Sequence, residues 1–376
     1  LGAEFCSHLK EDTMSTHRSI KTLTSALLLI VLVTMSFAAV SAAPQHGTGV
    51  QGADTVTQHW SASAGKACGT PTASMLVSGL AGSTGAGSAV GPGGALFVTE
   101  AVAGRIVRIN PRTGAVTIFA SGLPAGNPGI GIGGVMDVAF IGSTAYALVT
   151  LVGSDVGGSD VVGIYRVDGP NSFTVVADIG QYAIDHPPTI PFPYEVPSGV
   201  QYALKVFRGG FLVTDGHHNR VLRVTLDGEI SEVIGFGDVV PTGLAASGNT
   251  IYLAEAGPVP HNPEDGKVVR FTPNAPNVVE VASGAPLLVD VAVGRGRTLF
   301  ALSQGDFPAG GPPGAPALPD TGSLVRANGD GAFSVVADGL DLPTSLEIIQ
   351  NTAYVATLSG EVWKVKNIAC PPYGGK

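Results

Sequence analysis

The chain has 376 residues, 44% hydrophobic and 13% charged, with 53 Gly, 27 Pro and a formal net charge of −9. An acidic, sparsely charged surface disfavours nucleic acid as a partner and supplies no polybasic patch for an anionic membrane. Gly and Pro at this density, among many β-branched residues, predict short strands and tight turns rather than helices.

From Met14 the chain reads "MSTHRSIKTLTSALLLIVLVTMSFAAVSA", with His17, Arg18 and Lys21 ahead of an apolar core at residues 26–40. Val40-Ser41-Ala42 follows as a small-residue cleavage signature, so the segment has the form of a secretory signal peptide. A membrane anchor is the competing reading. The core is short for a bilayer span, and no stop-transfer charge cluster follows it. The expectation is export, to the secreted or periplasmic space, with cleavage near Ala42 and no stable membrane insertion. Residues 1–42 are then upstream sequence plus leader, with Met14 as start and Cys6 without a role. Residues 43–70 read as a flexible lead-in, 71–370 as a single domain and 371–376 as a tail.

Within 71–370 one pattern recurs six times. A strand ends in a polar residue: "ALFVTE" to Glu100, "AYALVT" to Thr150, "GFLVTD" to Asp215, "TIYLAE" to Glu255, "TLFALS" to Ser303 and "TAYVAT" to Thr357. Each is followed by a strand with a basic residue at one place: Arg108, Arg166, Arg223, Arg270, Arg326 and Lys364. A third strand such as "VTIFASGL" or "FTVVADIG" closes the unit, and a short inner strand such as "MDVAFIG" or "PTGLAAS" precedes it. Four short strands at a period of roughly 40–60 residues predict an all-β, six-bladed β-propeller with four antiparallel strands per blade. The sixth unit lacks its outer strand, and "TASMLVSGL" near the start matches the missing piece. The ring is therefore expected to close by the N-terminal strand pairing into the last blade. Cys68 and Cys370 flank those two strands at the same end, within disulfide reach if the strands pair antiparallel; two free buried thiols are the alternative. The basic residue recurs in every blade, so a repeated structural job explains it, such as pairing between neighbouring blades.

The irregular sequence falls in loops sharing one face: "LVGSDVGGSDV", "GQYAIDHPPTIPFPYEVP", "AGPVPHNPED" and "QGDFPAGGPPGAPALPDT". Long loops gathered on one face of a rigid scaffold commonly carry binding function. Glu100, Asp215 and Glu255 end second strands and are expected to point to that face. Asp137 and Asp290 begin inner strands in blades two and five, opposite one another in a ring of six. Such a pair repels unless protonated or bridged by a cation. An oxygen-rich, cysteine-free site suits Ca²⁺, with Asn219 and Glu255 as further ligands; capping of backbone amides is the alternative role. The "GHH" of "LVTDGHHNRVLRV" is not explained by the repeat, which makes His217 and His218, oriented by Asp215, the candidate base. There is no G-x-S-x-G, C-x-x-C, H-x-x-x-H or phosphate-binding glycine loop.

The segments "SGLPAGNPGIGIGG", "VVADIGQYAIDHPP", "GGFLVTDGHHNRVLRVTLDGEI", "VPTGLAASGNTIYLAE" and "ADGLDLPTSLEII" resemble the ScyD/ScyE family of secreted six-bladed propellers, over about residues 71–368. More loosely the blades are similar to NHL and gluconolactonase-type propellers, and the latter resemblance implies an axial divalent cation used to hydrolyse lactones and esters. Where that family's ligand pattern starts inner strands with "PNG" or "PDG", this chain has "PSG" at Ser198 and "PTG" at Thr242. The expected function is Ca²⁺-dependent hydrolysis of a small lactone or ester by a monomer. A cation around Asp137, Asp290, Glu255, Glu100 and Asn219 would polarise the carbonyl, and Phe192, Tyr194 and Phe307 would form an apolar wall. The alternative is a non-catalytic propeller that binds a glycan, peptide or pigment precursor.

Overall fold

The computed structural model describes residues 69–81, 87–127, 131–188 and 196–369. Period-2 apolar runs become strands in six separate four-stranded antiparallel sheets. Blade three shows the plan: Gln201–Phe207 innermost, then Gly210–Asp215, Arg220–Val224 and Ile230–Gly235 outermost, each paired to the next. The innermost strands of the other blades are Ser88–Val90, Gly134–Ile141, Pro241–Ser247, Leu288–Val293 and Pro343–Ile349. Each touches the innermost strand of the next blade, and that of blade six returns to that of blade one. The fold is a six-bladed β-propeller. Thr72–Val77 pairs antiparallel with Val362–Lys366, Thr72 opposite Lys366 and Met75 opposite Trp363, and so supplies the outer strand of blade six. Cys68 and Cys370 lie outside the described residues, as do the leader and lead-in.

The core is six wedges rather than one mass. Each hydrophobic cluster joins two adjacent blades, as Phe97 and Ile106 of blade one meet Val135 and Val138 of blade two. Leu324 and Leu302 of blade five likewise meet Leu346 and Val355 of blade six. Phe97 packs edge-on to Phe119 at 5.0 Å and tilted on Phe140 of the next blade at 4.5 Å. A single blade cannot bury both faces of its sheet, so each depends on its neighbours.

The connection between blades two and three contains a short helix, Ile179–Asp185, where the sequence reads as irregular loop. Asp178 starts it by accepting the Gln181 N–H at 2.8 Å. The repeated basic residue has several jobs rather than one. Arg223 donates to the Phe207 and Arg208 carbonyls of its own blade, Arg166 pairs with Asp168 two residues on, and Lys364 reaches another blade, at the Pro111 carbonyl.

Candidate ligand pocket on the loop-bearing face

Three residues just before inner strands adopt a left-handed backbone: Val240 (φ 50°), Leu287 (φ 44°) and Leu342 (φ 48°). For bulky or β-branched residues this conformation is strained and persists only where the surroundings enforce it. The enforcing contacts repeat from blade to blade. The Val240, Leu287 and Leu342 carbonyls accept the N–H groups of Ala256, Gln304 and Leu358, the residues that follow the second strands. Asn219 adds a further hold, its Oδ1 accepting the Val239 and Val240 N–H groups at 3.0 and 2.8 Å. The result is a seventh apolar cluster on the loop-bearing face: Val240, Ala256, Leu287 and Ala317, with Tyr202, Phe307 and Leu342 against it.

This cluster walls a cavity of about 200 Å³. Its polar lining comes from His217, His261, Tyr202, Gln304, Thr242 and Thr344. His261 is buried and sits edge-on to Phe307, with ring centroids 5.0 Å apart. Its Nδ1 donates to the Gly257 carbonyl at 2.7 Å, with Ala256 O at 3.2 Å, which leaves Nε2 as the nitrogen for a ligand. Burial lowers the His261 pKa, and the two carbonyls oppose that fall. His217 is pushed down to about 4, by burial first, with Asp215 opposing and His218 reinforcing. Its Nε2 is 3.5 Å from the Tyr202 hydroxyl. Burial, aided by Asp215, raises Tyr202 to about 12, so the phenol keeps its proton. Gln304 is oriented by the Ala317 N–H on its Oε1 at 3.0 Å, which turns its amide nitrogen to the other side.

Beneath the pocket runs a second cavity of about 220 Å³ along the propeller axis, lined by the innermost strands. Asp137 and Asp290 lie here, and their geometry is duplicated. Asp137 accepts Val138 N–H at 2.8 Å and, from the next blade, Leu204 N–H at 2.8 Å. Asp290 accepts Val291 N–H at 2.8 Å and, from the next blade, Leu346 N–H at 2.7 Å. Gly87 and Gly243 of the preceding blades make room, since a Cβ at either would overlap these carboxylates. Burial raises both acids, Asp137 well above the usual range, with Asp290 adding to it, and Asp290 to about 7.

The other expected ligands lie apart from this axis. Glu100 is buried against Arg105. Glu255, raised to about 7 by burial, stands opposite Lys267 in the register. Asp215 is fully buried and accepts from His218 Nδ1 and Arg220 Nε, each at 2.9 Å, and from Gln201 at 3.3 Å. Arg220 in turn donates to His186 O at 2.7 Å and lies over the Tyr182 ring. Acid and base stand at the same rung of strands two and three in blades one, three and four; in blades one and three they pair directly, which turns Glu100 and Asp215 to the neighbouring strand, whereas Lys267 pairs with Glu280 at 3.3 Å. Asn219 is committed to two backbone amides. Among the described residues, no group of three His, Cys, Asp or Glu could hold a metal ion. Calcium, which takes six to eight oxygens, does not fit this set.

Of the predicted catalytic residues only His217 reaches the pocket; the side chains of His218 and Asp215 are closed off at 1% and 0% exposure. Phe307 does contribute to the apolar wall, while Phe192 and Tyr194 lie outside the described residues. Sequence reasoning missed His261, Tyr202 and Gln304. A histidine in the long "AGPVPHNPED" loop was the available signal for the first.

No protein-family model matches the chain, and no curated protein matches it. Solved structures similar to it include a gluconolactonase from Xanthomonas campestris, 14% identical over 80% of this chain and 90% of that one, with a TM-score of 0.55. A Bacteroides thetaiotaomicron protein of unknown function is 11% identical over 79% of this chain and 76% of that one, TM-score 0.53. The PQQ-bound aldose sugar dehydrogenase of Streptomyces coelicolor is 15% identical over 79% and 98%, TM-score 0.50. At these identities the likeness is one of fold.

Proposed function

We propose that the protein hydrolyses a small ester or lactone in the loop-face pocket, as an exported, divergent member of the ScyD/ScyE propellers. The observation that carries this reading is His261: an imidazole with its tautomer set by a backbone carbonyl and its second nitrogen left for the interior of an apolar cavity. A general base works best with a pKa near the operating pH. His217, pushed to about 4, is too weak a base for that task, whereas His261 retains two carbonyl contacts that favour its charged form.

In the reaction, His261 Nε2 takes a proton from water as its oxygen adds to the carbonyl carbon. The Tyr202 hydroxyl, held protonated, and the Gln304 amide donate to the developing oxyanion; such donors are worth roughly 10²–10³ in rate. The C–O bond to the alcohol oxygen then breaks, and the alkoxide takes the proton back from His261. His217 acts through its contact with Tyr202. Calcium has no step here: Asn219 is committed to two backbone amides, Glu100 pairs with Arg105, and Asp137 and Asp290 alone do not supply the six or more oxygens that calcium takes. The gluconolactonase-type fold supports the substrate class by analogy only.

A panel of small lactones and aryl esters, assayed with and without chelator, tests this reading. Chelator-insensitive turnover that falls about 10²-fold or more in His261→Gln is expected. The pocket's predominantly aliphatic wall also favours a second reading, a non-catalytic binder of an apolar molecule. Saturable binding of panel members without turnover would select it.

A further inference from the structure

The axial cavity has no part in the reaction above, yet it adjoins the pocket. Gly87, Tyr202, Val289 and Thr344 line both spaces and form a waist between them. Each space alone is small beside the roughly 300–1,000 Å³ of ordinary ligand sites, while the two in series reach that range. Their chemistry differs. The upper wall is aliphatic and aromatic; below the waist the lining turns polar and charged. Strand order gives the groups met on descent: Tyr202 and Thr344 at the waist, then Asp290 and Asp137 with Ser345 and Ser88 hydroxyl to hydroxyl at 2.7 Å near their level, then Lys205 and Glu347.

Lys205 and Glu347 come from opposite blades, three and six, and stand 3.9 Å apart, so the lysine charge is already matched by Glu347. Burial holds the two aspartates toward their protonated forms, and an ammonium brought between them supplies the opposite charge that favours their ionised forms. Every Asp137 and Asp290 oxygen already accepts one N–H, which fills part of each carboxylate's capacity of about four lone-pair sites. The remaining lone pairs suit a donor with loose geometric demands. An ammonium, with three rotatable N–H bonds, meets that description; a carboxylate would add a like charge, and a cation needing six or more oxygens would not be satisfied.

We propose that pocket and channel form one amphipathic ligand site, in which an apolar body fills the loop-face pocket and an amine-bearing end passes the Tyr202 waist to sit between Asp137 and Asp290. This rests on the loop-face pocket being the ligand site and names the class of molecule it takes; it does not depend on catalysis. Binding of n-octylamine, 1-octanol and octanoate to the full chain, measured calorimetrically below their micelle concentrations, tests it separately from turnover. The expected order is amine over alcohol by about tenfold, with octanoate weakest. Asp290→Asn is expected to erase the amine preference, and Lys205→Met, which removes the one cation among the described residues of the channel lining, to increase amine affinity several-fold. The second variant keeps the test open if the first fails to fold. Octanoate binding as well as octylamine, or an amine-to-alcohol ratio unchanged in Lys205→Met, would overturn the proposal. Amine binding with these variant effects, in a protein inert on every ester, would sustain it while removing the hydrolase reading.

Discussion

At the scale of the residue, the two adjacent histidines have separate fates. His217 faces the pocket, whereas His218 is locked between Asp215 and Arg220 in a buried cluster that also ties in Gln201 and the His186 carbonyl. Removing one partner of a buried charge pair leaves the other uncompensated, at about 3–5 kcal/mol. Asp215→Ala is therefore expected to lose stability on that order in urea melts, and His217→Gln to leave the melt nearly unchanged. Equal effects of the two on the melt would contradict the division of roles. Adjacent positions in a turn differ only in which way each side chain leaves the backbone, and the letters "HH" carry no information about that. The Asp215–Arg220 rung, by contrast, was within reach of sequence reading. Glu100 and Arg105 stand in the same register, and Glu255 meets Lys267 there.

At the scale of the element, the strands were legible because each carries its own apolar alternation, and "TASMLVSGL" could be matched to a vacancy in blade six. The helix at Ile179–Asp185 was not, since its few apolar residues sit within a Pro-rich connection. The pocket wall was hidden for a different reason. Val240, Leu287 and Leu342 are ordinary aliphatic residues whose left-handed backbones are imposed by hydrogen bonds from other strands. Asn219 grips this wall at Val239 and Val240, so Asn219→Ala is expected to loosen it. The expected outcome is a several-fold rise in KM on a panel ester with kcat less affected, and stability lower by about 1–3 kcal/mol for amides left unpaired. A loss of stability with KM unchanged would make Asn219 a folding residue alone. Phe97, which fills the wedge between blades one and two, is a plain packing residue. Phe97→Ala should cost about 3–5 kcal/mol in the same melts without changing KM.

At the scale of the whole molecule, a ring of six wedges closed by one strand makes the channel charges a common concern of four blades. Asp290 has a folded-state pKa raised to about 7 against an ordinary value of 3.8. A raised acid favours the folded state when protonated, so its contribution is present below about pH 4 and is lost as pH climbs to 7. His217, lowered from 6.5 to about 4, acts in the opposite sense, losing stability as pH falls through that window. Asp290→Asn removes the first contribution and lessens the rise at Asp137, which the Asp290 charge reinforces, while leaving His217 in place. Urea midpoints at pH 5 and pH 8 should therefore show the variant losing less stability on going to pH 8 than the parent does. A parallel loss in both would mean that Asp290 is not titrating in this range. Six-fold repetition made this ring readable from the chain, and it also made the acids look like one metal site. Repetition places like residues at like heights; it does not turn their oxygens toward one point.

The pH–rate profile of the most reactive panel ester, taken for the parent and for His261→Gln, tests the central claim most directly. The expected result is an acid limb with an apparent pKa below 6.5, where His261 becomes protonated, and a loss of about 10²-fold or more in the variant together with that limb. A profile unchanged in His261→Gln would contradict it.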